Sequence, residues 1–598
     1  MPRLERTEVA ADLTGALRAW LGLRLDRSIG VQYARQALRA WRYPRAYQRW
    51  IRAEQASIPS TASQRREHQS WRYRPLMTVL MAVHNPRREW LKAAILSVLS
   101  QTYERWQLCI CDDGSKEQWV QEYLGGLQDS HPRVETSFLG SSVGISGALN
   151  VAGNLAKGDY VGFLDHDDLL APATLHYIVQ ALQAKQAGLL YSDEDAIDES
   201  GKRWRPNFKP DWSPHLLESC NYVNHFMAIR HELITRVGWF RSECDGAQDY
   251  DLALRATDDP GVAVTHVARI LYHWRKHSES TLARTAAKTH THLAGKRALT
   301  DAMSRRGFAA IVEDSSQPNT YSSRRVAVGG EPVVSLVICS RTPRLLESCL
   351  SSIRKRTRYG HYEIVVVHHQ TSDNQAAITE IVNRFQCKRV IYSGSFNFAR
   401  MNNLGVKETA GEYILFLNDD TKVIDERWLA AMASRLGEDG VGIVGAKLLY
   451  RSGALQHAGI AVNGLSGASH PGRASFGSLG WNWFQMTREL SAVTGACLAI
   501  KRMIFDQVGG FDEGFSVDFN DIDLCMKVRA ARYQVIIENR AVIQHDECGT
   551  RVPGRLTPGA KAFVERWRPE LTNSDRFWSR HLKLDETMMP DPRGFERL

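Results

Sequence analysis

Apolar residues in this chain come in short dense runs that end in polar clusters, and the series of runs occurs twice. In the first series TVLMAV (78–83) leads through a polar loop to the amphipathic LKAAILSVLSQT, and WQLCICDDGS and GDYVGFLDHDD each run from apolar residues into carboxylates. Short runs of β-branched, aromatic and aliphatic residues predict buried strands, and the segments of helical period between them predict helices. The second series reads SLVICS (335–340), LLESCLSSIRKRT, YEIVVVHHQTSD and GEYILFLNDDT. Each half therefore predicts strand, helix, strand, helix and a strand with an acidic end, followed by a longer mixed region.

The two halves keep a common spacing. GDYVGFLDHDD begins at Gly158 and GEYILFLNDDT at Gly411, an offset of 253 residues, and Asn150 matches Asn403 at the same offset. Downstream, Asp249 in QDYDLALRA aligns with Asp521 in NDIDLCMKVRA, and His273 and His545 each follow 24 residues later. A lone histidine carries little information. An Asp and a His at one spacing in two diverged halves point to a shared site.

Alternating strands and helices predict an α/β fold: an open, mostly parallel, Rossmann-like sheet in each half, with ligands bound beyond the carboxyl ends of the strands. The expected layout is a basic amphipathic helical arm (1–74), a first domain (75–312), a linker (313–331), a second domain (332–550) and a C-terminal tail (551–598). At 598 residues the chain is too long for one ordinary core, which agrees with two domains.

Charge changes the picture mainly for the arm. Residues 1–74 hold 15 Arg, no Lys and 6 acidic residues, which accounts for nearly all of the formal net charge of +10. Val31, Ala34, Leu38 and Trp41 recur at helical spacing among arginines, followed by WRYPRAYQRWIR. Such a segment suits an anionic membrane surface, and equally a helical cap packed on the first domain. A folded body of almost no net charge argues against a nucleic-acid partner. No apolar stretch is long enough to span a bilayer and the first residues lack a signal-peptide core, so a cytoplasmic location is expected, with peripheral contact at the inner face of the cell membrane. The 10 cysteines form no CxxC pair and read as reduced packing thiols.

Asp165, His166, Asp167 and Asp168 crowd one strand end. On residue type alone they suit a turn before the helix after Pro172, or a divalent cation held by carboxylates one residue apart. Here a resemblance enters. Both halves resemble the inverting GT-A glycosyltransferases of glycosyltransferase family 2, and the second half, with AKLLYRSGALQHAG, VTGACLAIKR, GGFDEGF and FNDIDLCMKV, is similar to the rhamnosyltransferase-type members that build O-antigen and related bacterial surface polysaccharides. The likeness covers about residues 75 to 550.

The resemblance implies a nucleotide-diphosphate sugar donor and a glycan or lipid-linked oligosaccharide acceptor. It makes Asp165 and Asp167 a DxD pair holding Mn²⁺ or Mg²⁺ against the diphosphate, with His273 as a further ligand. Asp112 and Asp113 then accept from base N–H and ribose hydroxyl groups, and Asp249 is the general base. In the second half Asn418 and Asp419 line the donor site, Asp420 and His545 hold the metal, and Asp521 is the base. The second half departs at HHQTS, where His368 and His369 replace the carboxylates of DDGS. Two active sites are expected; the alternative is a second half that only holds the acceptor.

Overall fold

The computed structural model describes residues 27–277, 285–326, 330–464, 467–473, 475, 482–546, 558–571, 574–585 and 587–595. The chain divides into two compact units, one of Tyr47–Ser323 and one built on Arg324–Leu598. In the first, the strands are β1 (Met77–Val83), β2 (Trp106–Asp112), β3 (Val134–Phe138), β4 (Tyr160–Phe163), β5 (Leu169–Leu170), β6 (Leu189–Ile197), β7 (Arg203–Asn207), β8 (Met227–Arg230) and β9 (Val264–Arg275). They form one sheet in the order β3-β2-β1-β4-β8-β6-β9-β5, with β7 beside β6. Pairs β2/β3, β1/β2, β1/β4 and β6/β9 are parallel, while β8 and β5 run antiparallel to their neighbours.

β10 (Ala310–Asp314) crosses from the expected first domain into the segment read as a linker, and β11 (Tyr321–Arg325) lies within that segment; the two strands pair with each other. In the second unit the strands are β12 (Val334–Ser340), β13 (Tyr362–His369), β14 (Lys388–Tyr392), β15 (Tyr413–Asn418), β16 (Thr421–Val423), β17 (Val441–Leu449), β18 (Leu455–His457), β19 (Ala461–Asn463), β20 (Gly467–Ser469), β21 (Arg488–Glu489), β22 (Cys497–Lys501) and β23 (Gln534–His545). The main sheet runs β14-β13-β12-β15-β22-β17-β23-β16. Strand for strand this is the order of the first sheet, so the expected tandem α/β architecture is what the chain adopts.

Central strands are buried on both faces, which is why they read as continuous apolar runs rather than alternating ones. Met77, Val79, Leu80, Met81 and Val83 of β1 and Leu336, Val337 and Ile338 of β12 are fully enclosed. The glycine that opens each repeated motif has a steric cause. A Cβ on Gly158 would lie 2.6 Å from the Thr78 amide nitrogen, and one on Gly411 would lie 2.5 Å from Ser335 Oγ. Both glycines let the incoming chain press against the first strand of its domain.

The arm contains helices Arg27–Ser57 and Thr61–Ser70. From Tyr47 onward the first of these is packed: Tyr47, Trp50 and Ile51 are buried, Trp50 lies 4.8 Å from the Phe208 ring, and Glu54 pairs with Arg203 at 2.7 Å. Val31 and Ala34 lie where side chains are outside the described residues. No described helix is long and apolar enough to cross a membrane. In the tail, helix Pro558–Arg566 is held by ion pairs from Arg566 to Asp512 and Asp523.

Candidate active site

In the first domain the acidic clusters collect at the carboxyl ends of β2 and β4, on either side of β1 and beside the point where strand order reverses, the usual ligand crevice of an open α/β sheet. Asp112 ends β2 and is fully buried; its Oδ1 accepts from the Ser115 amide at 3.3 Å, while Oδ2 has no hydrogen-bond partner among the described residues. Asp113 differs. Its carboxylate accepts from Ser142 Oγ at 2.6 Å and from the Val143 and Gly144 amides at 2.7 and 3.2 Å, at the start of helix Gly144–Gly153. A carboxylate there is stabilised by free N–H groups and the helix dipole. Asp112 keeps an unspent acceptor, and Asp113 braces the loop.

The DHDD cluster divides in the same way. Asp168 is buried, accepting from the Tyr272 hydroxyl at 2.6 Å and the Arg275 amide at 2.6 Å, so it closes the turn. Asp165 remains exposed to solvent as a residue, yet the protein around it strips enough water to raise its pKa, and Asp167 and Asp249 push the same way against His225 and His166. Crowded carboxylates of this kind are relieved by a bound cation. Asp167 Oδ2 lies 3.1 Å from His277 Nε2.

Asp249 lies in the first turn of helix Gln248–Ala256. It accepts from Asn221 Nδ2 at 3.0 Å and from Asn224 Nδ2. Burial raises its pKa, opposed first by His225 and then by backbone N–H groups and Asn221. His225, which sequence reasoning missed, is electrostatically coupled to both Asp165 and Asp249 and stacks on Tyr272 at 4.6 Å. Its Nε2 meets Asn224 Nδ2 at 2.9 Å. Asn224 thus joins the expected base to a histidine.

The structure does not bring His273 to the DxD pair. Its Nδ1 binds Asp195 Oδ1 at 2.6 Å, in a network where Asp195 also accepts from Tyr47 and pairs with Arg203 at 2.6 Å. The equal 24-residue spacing hides a change of register. Leu169 pairs with His273 in the first domain, whereas Thr421, the counterpart of Asp168, pairs with His545 in the second. A shift of one residue turns a side chain to the other face of a strand. His277, past the end of β9, takes the place expected of His273.

In the second domain His545 does reach the acidic cluster: Nε2 lies 3.0 Å from Asp420 Oδ1, and Nδ1 meets Gln456 Oε1 at 2.7 Å. Asn418 Oδ1 is buried with no hydrogen-bond partner among the described residues, an oxygen suited to a cation or a donor group. Asp419 accepts from Ser340 Oγ at 2.6 Å, and burial, with Asp420 adding, pushes its pKa up to about 6. Asp521 again lies in the first turn of a helix, Asn520–Ala530, and accepts from the Gly495 amide at 2.7 Å. Among the described residues no three His, Cys, Asp or Glu side chains already converge as a metal cage. The oxygen and imidazole donors at Asp165, Asp167 and His277, and at Asn418, Asp420 and His545, nonetheless suit Mn²⁺ or Mg²⁺ in type.

Comparison with known proteins gives both halves one match. The family model described as glycosyl transferase family 2 matches residues 78–241 and again 335–509. An uncharacterized protein of Sinorhizobium fredii (strain NBRC 101917 / NGR234) is 37% identical over 528 residues, covering 86% of this chain and 57% of its own length. An O-antigen biosynthesis protein of Myxococcus xanthus is 34% identical over 528 residues, covering 86% of this chain and 41% of its own. A chondroitin synthase of Pasteurella multocida (strain Pm70) is 22% identical over 385 residues, covering 58% of this chain and 39% of its own. The chain therefore spans about half the length of the curated relatives it matches.

Proposed function

Because the chain belongs to glycosyltransferase family 2, we propose that it is an inverting transferase with two active sites, moving sugars from nucleotide-diphosphate donors onto a growing bacterial surface polysaccharide. The observation that carries this is the duplicated pairing of a strand-end DxD-type cluster with an acid in the first turn of a helix. Asp249 is cradled by Asn221 and Asn224, and Asp521 by the Gly495 amide. Such a cluster can neutralise a leaving diphosphate, and such an acid can take a proton from an acceptor hydroxyl. A raised pKa makes Asp249 a stronger base than a solvated Asp.

In the first site the acceptor hydroxyl attacks the anomeric carbon in line with the departing diphosphate, and its proton passes to Asp249. Asn221 and Asn224 hold that carboxylate in place, while His225 opposes the rise in its pKa. Asp165, Asp167 and His277 would hold Mn²⁺ or Mg²⁺, which when bound supplies positive charge to the diphosphate. Asp112 Oδ2 is the acceptor available to the nucleoside.

A second reading has support in the other half, where Asn418, His368 and His369 replace three carboxylates: there only the first domain reacts and the second holds the acceptor. Lipid-linked oligosaccharide is the acceptor that suits the arm, whose Leu38 and Trp41 are 46% and 54% exposed on the helix that carries Arg42 and Arg45. That helix would rest on an anionic inner-membrane surface. Flotation with anionic vesicles, lost in a Trp41→Ala, Arg42→Glu, Arg45→Glu variant, supports this contact; full-length protein that stays in solution refutes it.

The test of the reaction is donor turnover with UDP-, dTDP- and GDP-sugars in Mn²⁺, Mg²⁺ or EDTA, comparing wild type with Asp167→Ala and Asp420→Ala. Two metal-dependent activities, each lost in a different variant, are expected. One activity lost only with Asp167→Ala would favour the acceptor-holding reading.

A further inference from the structure

His368 and His369 end β13 where Asp112 and Asp113 end or follow β2: Ser340 pairs with His368 as Val83 pairs with Asp112. The exchange looks like a loss of nucleoside recognition, since acceptors are replaced by rings that can also donate. The hydrogen bonds around the two rings remove that ambiguity.

Asn374 Nδ2 faces two carbonyl oxygens, Arg341 O at 2.9 Å and His369 O at 3.1 Å, so this end of the amide must be the donor. Its Oδ1 then accepts from the Thr371 amide at 2.9 Å and faces His368 Nε2 at 3.0 Å. An amide oxygen only accepts, so His368 carries its proton on Nε2. His369 Nε2 faces the Gly394 carbonyl at 2.9 Å and must likewise donate. In both rings Nδ1 is left as a lone-pair acceptor, and both Nδ1 atoms are buried without a partner among the described residues. Burial holds the His368 pKa below its ordinary range, and Arg389 and His369 add to that against the bond to Asn374.

The surroundings suit a nucleoside. The His369 ring lies 6.0 Å from that of Phe396, which is 42% exposed, and the Arg341 guanidinium lies 6.0 Å over the same Phe396 ring. Arg341 also lowers the pKa of Asp419, so it lies between this aromatic edge and the acidic cluster. An exposed aromatic edge is a surface on which a base can stack, and a guanidinium beside it can meet a phosphate.

We propose that the second domain binds its donor through the Nδ1 atoms of His368 and His369 as hydrogen-bond acceptors, and that it selects a base with a ring N–H donor, uracil, thymine or guanine, over cytosine and adenine. This rests on the reading of the second domain as a nucleotide-sugar site. A ring N–H satisfies one unspent Nδ1 and a ribose hydroxyl the other. Cytosine and adenine present a ring lone pair where the other three present the N–H, so a base held in the same position sets acceptor against acceptor, and their exocyclic amine reaches Nδ1 only if the base slides along its edge. Domain one would make the same selection with Asp112 Oδ2.

The experiment is calorimetric titration of the full chain carrying Asp112→Ala and Asp167→Ala, which removes the first domain's contribution, with UDP, dTDP, GDP, CDP and ADP in Mn²⁺. At least one of UDP, dTDP and GDP is expected to bind, with CDP and ADP about tenfold weaker or worse. His368→Phe keeps a ring without an acceptor and should weaken binding about tenfold. His368→Asn, whose carbonyl oxygen falls near the Nδ1 position, should recover part of that loss, and His369→Phe is the second variant. Unchanged first-domain transfer by each His variant in an otherwise wild-type chain checks that it folds. Equal affinity for CDP or ADP, full affinity in both Phe variants, or no binding of any nucleotide would each overturn the proposal. The two-site reading fails on a different result, an Asp521→Ala chain whose products are unchanged.

Discussion

The two domains share a sheet order strand for strand and differ at the ends of those strands. In the first, carboxylates crowd the crevice and are sorted by their neighbours: Asp113 and Asp168 are spent on structure, while Asp112, Asp165, Asp167 and Asp249 remain for chemistry. In the second, an amide and two imidazoles replace three of them, and the buried amide oxygen and two imidazole nitrogens stand without partners among the described residues. Removing negative charge while keeping acceptors preserves the hydrogen-bonding pattern and lowers the repulsion that a cation must offset. The two sites are thus chemically distinct versions of one frame, and substitutions at matched positions separate them.

The largest effect is expected at the base. Asp249→Asn keeps the shape and the cradle but not the proton acceptor, and should slow the first domain's transfer by about a hundred-fold to ten-thousand-fold, read as kcat at saturating donor. The second domain's step should be untouched. A rate loss shared by both steps would mean that the sites are not independent.

Metal dependence comes next. His277→Ala should raise the Mn²⁺ concentration for half-maximal first-domain activity about ten-fold to a hundred-fold, and His545→Ala should do so for the second domain. His273→Ala should leave the Mn²⁺ requirement alone, because that ring is tied to Asp195. A His273→Ala variant that loses metal dependence would restore the match drawn from spacing.

The smallest effect concerns pH. Asp249 must lose its proton to act, and its pKa is raised, so the acid limb of first-domain kcat/KM should lie above the ordinary Asp range. His225 lowers that pKa. Its replacement by Ala should move the limb to higher pH, with activity on the acid side falling further, while the second-domain profile stays where it was.

The strands were legible because a parallel sheet covered on both faces needs unbroken apolar runs, and β1, β2, β4 and their counterparts supply them. Asp249 and Asp521 were legible as candidates because the two halves repeat them at one spacing from a histidine, and both lie in the first turn of a helix. The histidine that meets Asp167 in the first domain was not. Bulges between Ser192 and Glu194 where β6 meets β9, and between Ala446 and Lys447 where β17 meets β23, change which residue faces the site, and spacing along one strand does not reveal them. His225 was hidden for another reason. The matching stretch VTGAC has no histidine, so comparing the halves directed attention away from a residue that only one of them uses. The division of Asp112 from Asp113 depends on where the Ser142–Gly144 amides fall, which is a matter of tertiary packing.

The measurement that bears most directly on the two-site account is mass analysis of the glycan products made from mixed donors by wild type, Asp249→Ala and Asp521→Ala. The account predicts that each variant stops at a different product, one lacking the first domain's sugar and the other the second's, and that mixing the two variants restores wild-type product. An Asp521→Ala enzyme with the full wild-type product set would contradict it.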